Sequence, residues 1–445
     1  MAKGYKVGMI SLGCPKNQVD GEALLAKLAA AGYQIVNEIE NSDVMIVNTC
    51  GFIEDAKREA IDTILEVAQY KEAGVISALV VTGCLAERYQ DEILKEMPEV
   101  DAVIGIGANA DIVKVCDKAL CGIQTSNYPN KCYLPIDDER VLSTPSHWAY
   151  LKIAEGCDNR CSYCAIPGIR GKFRSRKIES VVDEAKSLVN RGVKEIILVA
   201  QDTTKYGQDL YGEYSLDKLL KELVKIDGLE WIRLFYCYPQ RITDSLIDVI
   251  ATEDKVCKYI DIPLQHSDTT VLKNMNRVGD GNDYRVLLDK MRKAIPNLAL
   301  RTTFMVGFPG ETDEQFENLC DFVKDMKFDK MGCFTFSPEE DTPAFDMDNQ
   351  IDEDVKKRRQ EVLMNAQYSI TEASNKSRVG NVYKVIIDSF ADGKYIGRSY
   401  MDSPEIDSGI IFTSNKKLNI GDFVNVKITD FDGYDLIGEH YEFTK

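Results

Sequence analysis

The chemistry this sequence can do is concentrated in its cysteines. Three of them fall in Cys157-Asp-Asn-Arg-Cys161-Ser-Tyr-Cys164, a C-x-x-x-C-x-x-C run. Thiolates this close together can wrap one face of an iron–sulfur cube. Three ligands leave one iron without a protein donor. An S-adenosylmethionine (SAM) molecule can chelate such an iron through its amino and carboxylate groups, and the reduced cluster can then pass an electron into the sulfonium, so the cofactors carry the hard chemistry. Two blander readings exist: a zinc site lacking its fourth ligand, and three incidental cysteines. Zinc sites usually pair one C-x-x-C with a second, and none lies close by.

A second set is spread along the first hundred residues, in Ser11-Leu-Gly-Cys14-Pro-Lys-Asn17, Asn48-Thr-Cys50-Gly51 and Thr82-Gly-Cys84-Leu85. Each cysteine follows a predicted parallel strand and has a glycine beside it, which permits a tight turn and close approach to a bulky group. In an open α/β sheet the carboxyl ends of the strands lie along one edge, where ligands bind. Cys14, Cys50 and Cys84 can therefore converge on a metal group. They can equally be core cysteines near strand ends. Cys116, Cys121, Cys132, Cys237, Cys257, Cys320 and Cys333 fit no ligand spacing and read as structural. An odd total of 13 cysteines in a chain of this size argues against a disulfide framework.

The elements that must position these residues fall into three segments. At 445 residues the chain is long enough for several domains. Residues 1–142 alternate strands (near 6–12, 43–48, 78–82 and 102–106) with helices near 19–31 and 54–70, which predicts a small parallel sheet covered by helices. Residues 126–147, rich in proline and poor in periodic apolar positions, read as a linker. Residues 143–370 repeat the rhythm over six units, with strands near 149–154, 195–200, 231–236, 259–263, 300–306 and 331–336. A capping-box pattern, Thr312 with Gln315, opens one of the helices. Six units predict a partial (β/α)6-type barrel, two strands short of a full one. The Cys157 run directly follows the first of these strands, at the barrel end where such folds place their chemistry. Residues 371–445 show short alternating runs near 383–388, 395–399, 423–428 and 434–438, separated by glycine and Asp/Asn, and predict a small all-β barrel. The fold class is thus multidomain α/β with a small all-β C-terminal unit.

No apolar run approaches the length of a membrane span, and the first residues lead into a strand pattern without a secretory leader, so the reading is cytoplasmic. The net charge is −18. Nucleic-acid binders usually present a basic face, because neutralising phosphates supplies much of their affinity. An acidic chain favours a cationic partner, such as a basic protein.

These motifs together resemble the radical SAM methylthiotransferase family. The Cys157 run, with Tyr163 before its last cysteine, resembles the radical SAM signature. Val306-Gly-Phe-Pro-Gly-Glu311 is similar to a SAM-contacting strand end of that superfamily. Val199-Ala-Gln-Asp202 and Pro263-Leu-Gln-His-Ser267 occupy strand ends facing the same mouth, although Gln201, Asp202 and His266 are also ordinary strand-end polar residues. The three N-terminal motifs, in this order, resemble the family's N-terminal domain, and the C-terminal segment resembles a TRAM domain.

The resemblance implies two 4Fe-4S clusters, one on Cys157, Cys161 and Cys164 and the other on Cys14, Cys50 and Cys84. It implies SAM contacts from Tyr163, Gln201, Gly307, Pro309 and Gly310. It further implies that one SAM methylates a sulfur associated with the N-terminal cluster, and that a second is cleaved to generate a radical. That radical opens an unactivated C–H bond for methylthio insertion. A low-potential electron donor such as a flavodoxin-type reductant would serve it. Nothing requires more than a monomer.

The family divides by substrate between an adenosine in transfer RNA and, in the RimO group, an aspartate β-carbon of the small-subunit ribosomal protein S-twelve. Three features favour the RimO group. Cys14-Pro-Lys-Asn17 resembles its form of the first motif, where tRNA members more often carry Gln-Met-Asn. Residues 371–445 hold nine Lys/Arg against twelve Asp/Glu, whereas a tRNA-binding version should be cationic there. Asp402-Ser-Pro-Glu-Ile-Asp407 resembles an acidic RimO stretch, which implies that Asp402, Glu405 and Asp407 meet the basic ribosomal protein; alone it also reads as a solvated acidic loop. The basic run Arg170, Lys172, Arg174, Arg176 and Lys177 does not discriminate. A tRNA methylthiotransferase and a non-enzymatic iron–sulfur redox sensor or translation-associated binding module remain as alternatives.

Overall fold

A computed structural model describes residues 4–131 and 139–442 of the chain. The first sheet contains β1 (Lys6–Ser11), β2 (Gln34–Ile35), β3 (Val44–Thr49), β4 (Ala78–Gly83), β5 (Ala102–Ile104) and β6 (Thr125–Asn127), in the order β2-β1-β3-β4-β5-β6. All of its pairings are parallel. Every residue of β3 and β4 is buried, which is why these strands read as continuous apolar runs: helices cover both faces. Helices Pro15–Ala30 and Ile112–Leu120 pack Leu24, Leu28 and Val115 on one side. Helices Glu54–Glu72 and Cys84–Tyr89 pack Ile64, Val67 and Leu85 on the other. Strand β6 corrects the linker expectation in part, because Ser126 and Asn127 pair with Val103 and Ile104 as the edge of this sheet. Cys132 lies outside the described residues.

The second sheet contains β7 (Trp148–Lys152), then, beyond a short two-stranded ribbon of β8 (Ala154–Glu155) and β9 (Arg174–Ser175), β10 (Glu195–Val199), β11 (Trp231–Leu234), β12 (Val256–Asp261), β13 (Ala299–Val306) and β14 (Lys330–Thr335). Its six strands are all parallel and run in sequence from β7 to β14 without closing. Alternate side chains divide the sheet. Leu151, Ile196, Leu198, Ile232, Leu234 and Phe304 point to the surrounding helices. Trp148, Tyr150, Ile197, Trp231, Tyr259 and Ala299 point to the concave face. The helix Asp313–Met326 opens with the reciprocal Thr312–Gln315 capping box that its sequence announces.

The last helix, Glu353–Arg378, runs past the boundary expected at 370–371 and leads into a closed barrel. The barrel is built of β15 (Val382–Ala391), β16 (Lys394–Arg398), β17 (Ile410–Thr413), β18 (Phe423–Asp432) and β19 (Asp435–His440). It closes around Val385, Ile387, Ile410, Phe412, Val426 and Ile428. An open (β/α)6 sheet leaves its concave face to be filled, and this small barrel fills it: Ile386 and Met401 are buried against Trp148, Tyr150 and Tyr259.

Glu195 sits at the centre of that contact. It accepts from Arg233 Nε at 2.8 Å and pairs with Arg398 Nη1 at 2.7 Å. Burial alone would raise the Glu195 carboxyl, but the two guanidiniums more than offset this and hold it below the usual carboxylate range. A carboxyl depressed in the folded state contributes stability that is present above its unfolded pKa and is lost as the pH falls through its folded value. Docking of the barrel therefore weakens on acidification below about pH 4. Glu195→Ala leaves two buried guanidiniums facing each other and costs about 3–5 kcal/mol. The chain's two tryptophans, Trp148 and Trp231, lie in this contact, and the Trp231 and Phe423 rings are 4.7 Å apart. Tryptophan fluorescence during urea unfolding reads the effect directly; an unshifted midpoint in the variant contradicts the assignment.

Candidate active site

In the first sheet β1, β3 and β4 are adjacent and parallel, so their carboxyl ends share one edge. Cys14 caps the helix Pro15–Ala30 just beyond β1, Cys50 follows β3 directly, and Cys84 opens the helix Cys84–Tyr89 at the end of β4. The chain can close up here because of Gly13. It holds φ +90°, and a Cβ there would lie 2.7 Å from Cys50 Cβ, a contact no other residue tolerates. Two asparagines lace the turns together. Asn17 Nδ2 donates to the carbonyls of Leu12 (2.8 Å) and Thr49 (3.2 Å), and Asn48 Nδ2 donates to the Asn17 carbonyl (2.8 Å).

Cys157, Cys161 and Cys164 sit in the loop that follows β7 and β8, at the carboxyl end of the second sheet. The loop is fixed by its backbone: Cys157 N–H donates to Gly171 O (3.0 Å), Ser162 N–H to Met275 O (3.0 Å) and Cys164 N–H to Cys161 O (3.1 Å). The three thiols open on a cavity of about 940 Å3. Its walls include Asp158, Arg160 and Pro167 from the same segment, and Glu87, Arg88 and Lys131 from the first.

The two thiol sets flank one short helix, Ile166–Arg170. On one side of it stands Cys164; on the other, Ala165 and Ile169 pack against Cys84 and Ile106. The last residue of this helix, Arg170, is fully buried and reaches across the boundary. It donates to Cys84 Sγ (3.4 Å), Asn17 Oδ1 (3.3 Å), Asp20 Oδ2 (2.8 Å) and Glu155 (3.1 Å). Lys152 pairs with Glu155 at 2.8 Å and also with Asp20. In the sequence Arg170 is only one member of a basic run, and Asp20, Lys152 and Glu155 do not stand out. The available signal was position: Glu155 stands two residues before the first cysteine of the run. A second bridge, Arg88, donates to the Gly51 carbonyl (3.1 Å) beside Cys50 and pairs with Glu339 (3.0 Å) beyond β14.

Burial pushes the Cys157 thiol up to about 11 and the Cys84 thiol up to about 12. Burial raises Cys50 as well. Cys14 differs: burial would raise it, but the charges of Lys16 and Arg170 more than offset that and lower it. The Cys157, Cys84 and Cys50 thiols thus hold their protons until a metal displaces them. Among the described residues no group of three His, Cys, Asp or Glu side chains is gathered tightly enough to hold a single metal ion. Three thiols arranged around a larger space, with tight glycine turns behind them, fit a cluster held at its corners.

The softer site expectations fare unevenly. Tyr163 is buried beside the cysteines, and its hydroxyl accepts from Arg277 (3.4 Å). Gln201 donates to Glu155 Oε1 (3.2 Å), while its buried carbonyl oxygen has no partner among the described residues. Gly307, Pro309 and Gly310 are not among the residues lining the cysteine cavity; Glu311 folds back to accept from the Gly307 amide (2.7 Å) and pairs with Arg359 (2.9 Å). Asp202 is buried and pairs with Arg241, and His266 is fully buried.

The structure corrects the expectation for Asp402 and Asp407 of the acidic stretch. Asp402 is buried, pairs with Lys330 (2.8 Å) and accepts from Ser399 Oγ (2.7 Å). Asp407 accepts from the Tyr259 hydroxyl (2.9 Å) and lies 3.5 Å from Arg301 Nε. Glu405 is exposed but accepts from Tyr150 (3.2 Å). The concave face carries cations and hydroxyls, and this loop neutralises them, so Asp402 and Asp407 hold the barrel in place and do not face a partner. Likewise Arg170 and Arg176 of the basic run are buried.

Residues 6–105 match the model of Uncharacterized protein family UPF0004, residues 151–323 that of the radical SAM superfamily, and residues 379–440 that of the TRAM domain. The chain is 52% identical to the ribosomal protein uS12 methylthiotransferase RimO of Desulforamulus reducens, over 97% of this chain and 99% of that one. It is 51% identical to the protein of the same name from a Thermoanaerobacter species, over 98% and 99%. Among solved structures it resembles the radical SAM methyltransferase TsrM of Kitasatospora setae with cobalamin and a 4Fe-4S cluster bound, at a TM-score of 0.56 and 14% identity over 77% of each chain. At that identity the likeness is one of fold.

Proposed function

The chain belongs to the RimO family of ribosomal protein uS12 methylthiotransferases, and from that premise we propose that its two thiol sets form one active site acting on an aspartate β-carbon of uS12. Cys157, Cys161 and Cys164 hold the cluster that binds SAM, and Cys14, Cys50 and Cys84 hold the second. When bound, the first cluster and SAM supply one-electron cleavage and hydrogen abstraction from an unactivated carbon, and the second supplies the methylthio sulfur. The observation that carries this reading is the short helix Ile166–Arg170, with a thiol set on either side and Arg170 joining them.

The chain's own residues do the positioning. The Gly13 turn and the Asn17 and Asn48 side chains hold Cys14 and Cys50 together. Arg170, Lys152, Asp20 and Glu155 lock the first sheet's edge against the second's. Arg88 and Glu339 tie the far side of the cavity shut. Proximity of this kind decides where a reactive carbon is captured. Tyr163, next to Cys164 in the run, and Gln201, whose buried carbonyl oxygen has no partner among the described residues, serve as SAM contacts in this reading. Gly307, Pro309 and Gly310, at the end of β13, are the remaining SAM contacts of this reading. The reading includes a single chain working in the cytoplasm, with a flavodoxin-type protein as electron donor. No helix of the described residues is long and apolar enough to cross a membrane.

The test is a competition. The protein, loaded anaerobically with iron and sulfide, receives reductant, SAM, purified uS12 and bulk tRNA together. Mass spectrometry is expected to find a methylthio increment on one aspartate-containing uS12 peptide and none on tRNA. An increment on tRNA alone would move this chain to the other substrate class.

A further inference from the structure

Lys16 is the second residue of the helix that Cys14 caps, and it is 8% exposed. Its ammonium reaches over the end of β11 and lies 3.4 Å from the centre of the Tyr236 ring. Tyr236 has φ +59°, a left-handed conformation that costs a non-glycine residue energy and here fixes the ring beneath the cation. No carboxylate among the described residues pairs with Lys16. The nearby ones are engaged. Asp20 and Glu155 are matched by Lys152 and Arg170, two anions to two cations. Asp261 is held by Arg301 (2.9 Å) and by the Tyr236 amide (3.1 Å). Lys16 is left as a buried positive charge that faces the Tyr236 ring and the Cys14 thiol but no carboxylate. Burying an ammonium without an anion is costly, and such a charge is stabilised when an anion arrives.

We infer that Lys16 receives the side-chain carboxylate of the substrate aspartate, an assignment that rests on the reading under Proposed function. The chemistry gives the contact its purpose. The carboxylate is bonded directly to the β-carbon that is modified, so a cation that fixes the one fixes the other. Lys16 stands two residues from Cys14, at the edge where the sulfur is held. It is a specificity-determining residue: it distinguishes an aspartate from the isosteric but neutral asparagine, and from a nucleobase that carries no carboxylate.

The experiment measures the dissociation constants of uS12, and of uS12 carrying asparagine at the modified position, for the enzyme with both clusters loaded. It is repeated with Lys16→Met and Lys16→Arg, and iron content and the reduction potentials of both clusters are recorded for each protein. The unaltered enzyme is expected to bind the aspartate form about tenfold or more tighter than the asparagine form. Lys16→Met erases that ratio by weakening only the aspartate form, and Lys16→Arg restores part of it. A Lys16→Met enzyme that keeps the original ratio overturns the assignment. So does one that loses iron or shifts a cluster's potential while discriminating normally, because Lys16 would then serve the cluster's charge. If the unaltered enzyme binds and modifies neither form, the uS12 reading itself falls, and this assignment falls with it.

Discussion

Cys161→Ala abolishes reductive cleavage of SAM while the chain stays folded. Cys161 lies in the middle of its set, and its loop is held by backbone hydrogen bonds from Cys157, Ser162 and Cys164 that do not involve the thiol. Removing one sulfur from a buried position beside Tyr163 leaves a small gap, which costs on the order of 1 kcal/mol. The loss of function is far larger. A site with three protein ligands has no spare donor, and with two thiolates the group that binds SAM is no longer held. After reconstitution the variant is expected to carry about half the iron of the parent, because the second set of thiols is untouched. The measurement is 5′-deoxyadenosine formation under dithionite, followed by chromatography and mass spectrometry, with iron counted in the same sample. Cleavage at the parent rate would show that this triplet does not serve SAM.

The C-x-x-x-C-x-x-C run is local, so the sequence alone reveals it. The other set is visible only through the sheet. Cys14, Cys50 and Cys84 come together because three parallel strands are adjacent, and the alternation of strands and helices in the first segment made that arrangement readable. The strands of the second sheet were legible for a related reason: all but the half-buried β14 are largely buried apolar runs, and helices alternate with them. Strand β6 was not, because three residues at a sheet edge carry too little pattern to stand out from a proline-rich stretch. The acidic loop shows a different limit. Asp402, Glu405 and Asp407 read in one dimension as an acidic stretch facing a basic partner, and only the fold reveals Lys330, Arg301, Tyr259 and Tyr150 opposite them. Arg170 is ambiguous in the same way. A run of basic residues has one signature whether its members face solvent or carboxylates far away in sequence.

Cys50→Ala is expected to have the opposite partial effect: SAM cleavage persists, and methylthio transfer to uS12 stops. The structure separates the two outcomes because the thiol sets hang from different sheets. The Cys157 loop draws its backbone partners from Gly171 and Met275, both in the second segment. Cys50 belongs wholly to the first sheet's edge, packed against Gly13, and its removal leaves Cys14 and Cys84 without a third donor. The Asn17 and Asn48 hydrogen bonds that hold the turns use backbone carbonyls, so they survive the substitution. Arg170 continues to bridge to Asp20 and Glu155, so the boundary between the sheets is retained as well. The variant should therefore consume SAM without modifying protein. Its 5′-deoxyadenosine forms at a rate near the parent's, while the methylthio increment on uS12 falls below detection. Loss of both activities would mean that the second group is needed to build the SAM site. Unaltered transfer would refute a role for the first sheet's thiols in supplying sulfur. The predicted combination, cleavage without insertion, is the result that requires two separate thiol sets converging on one substrate carbon.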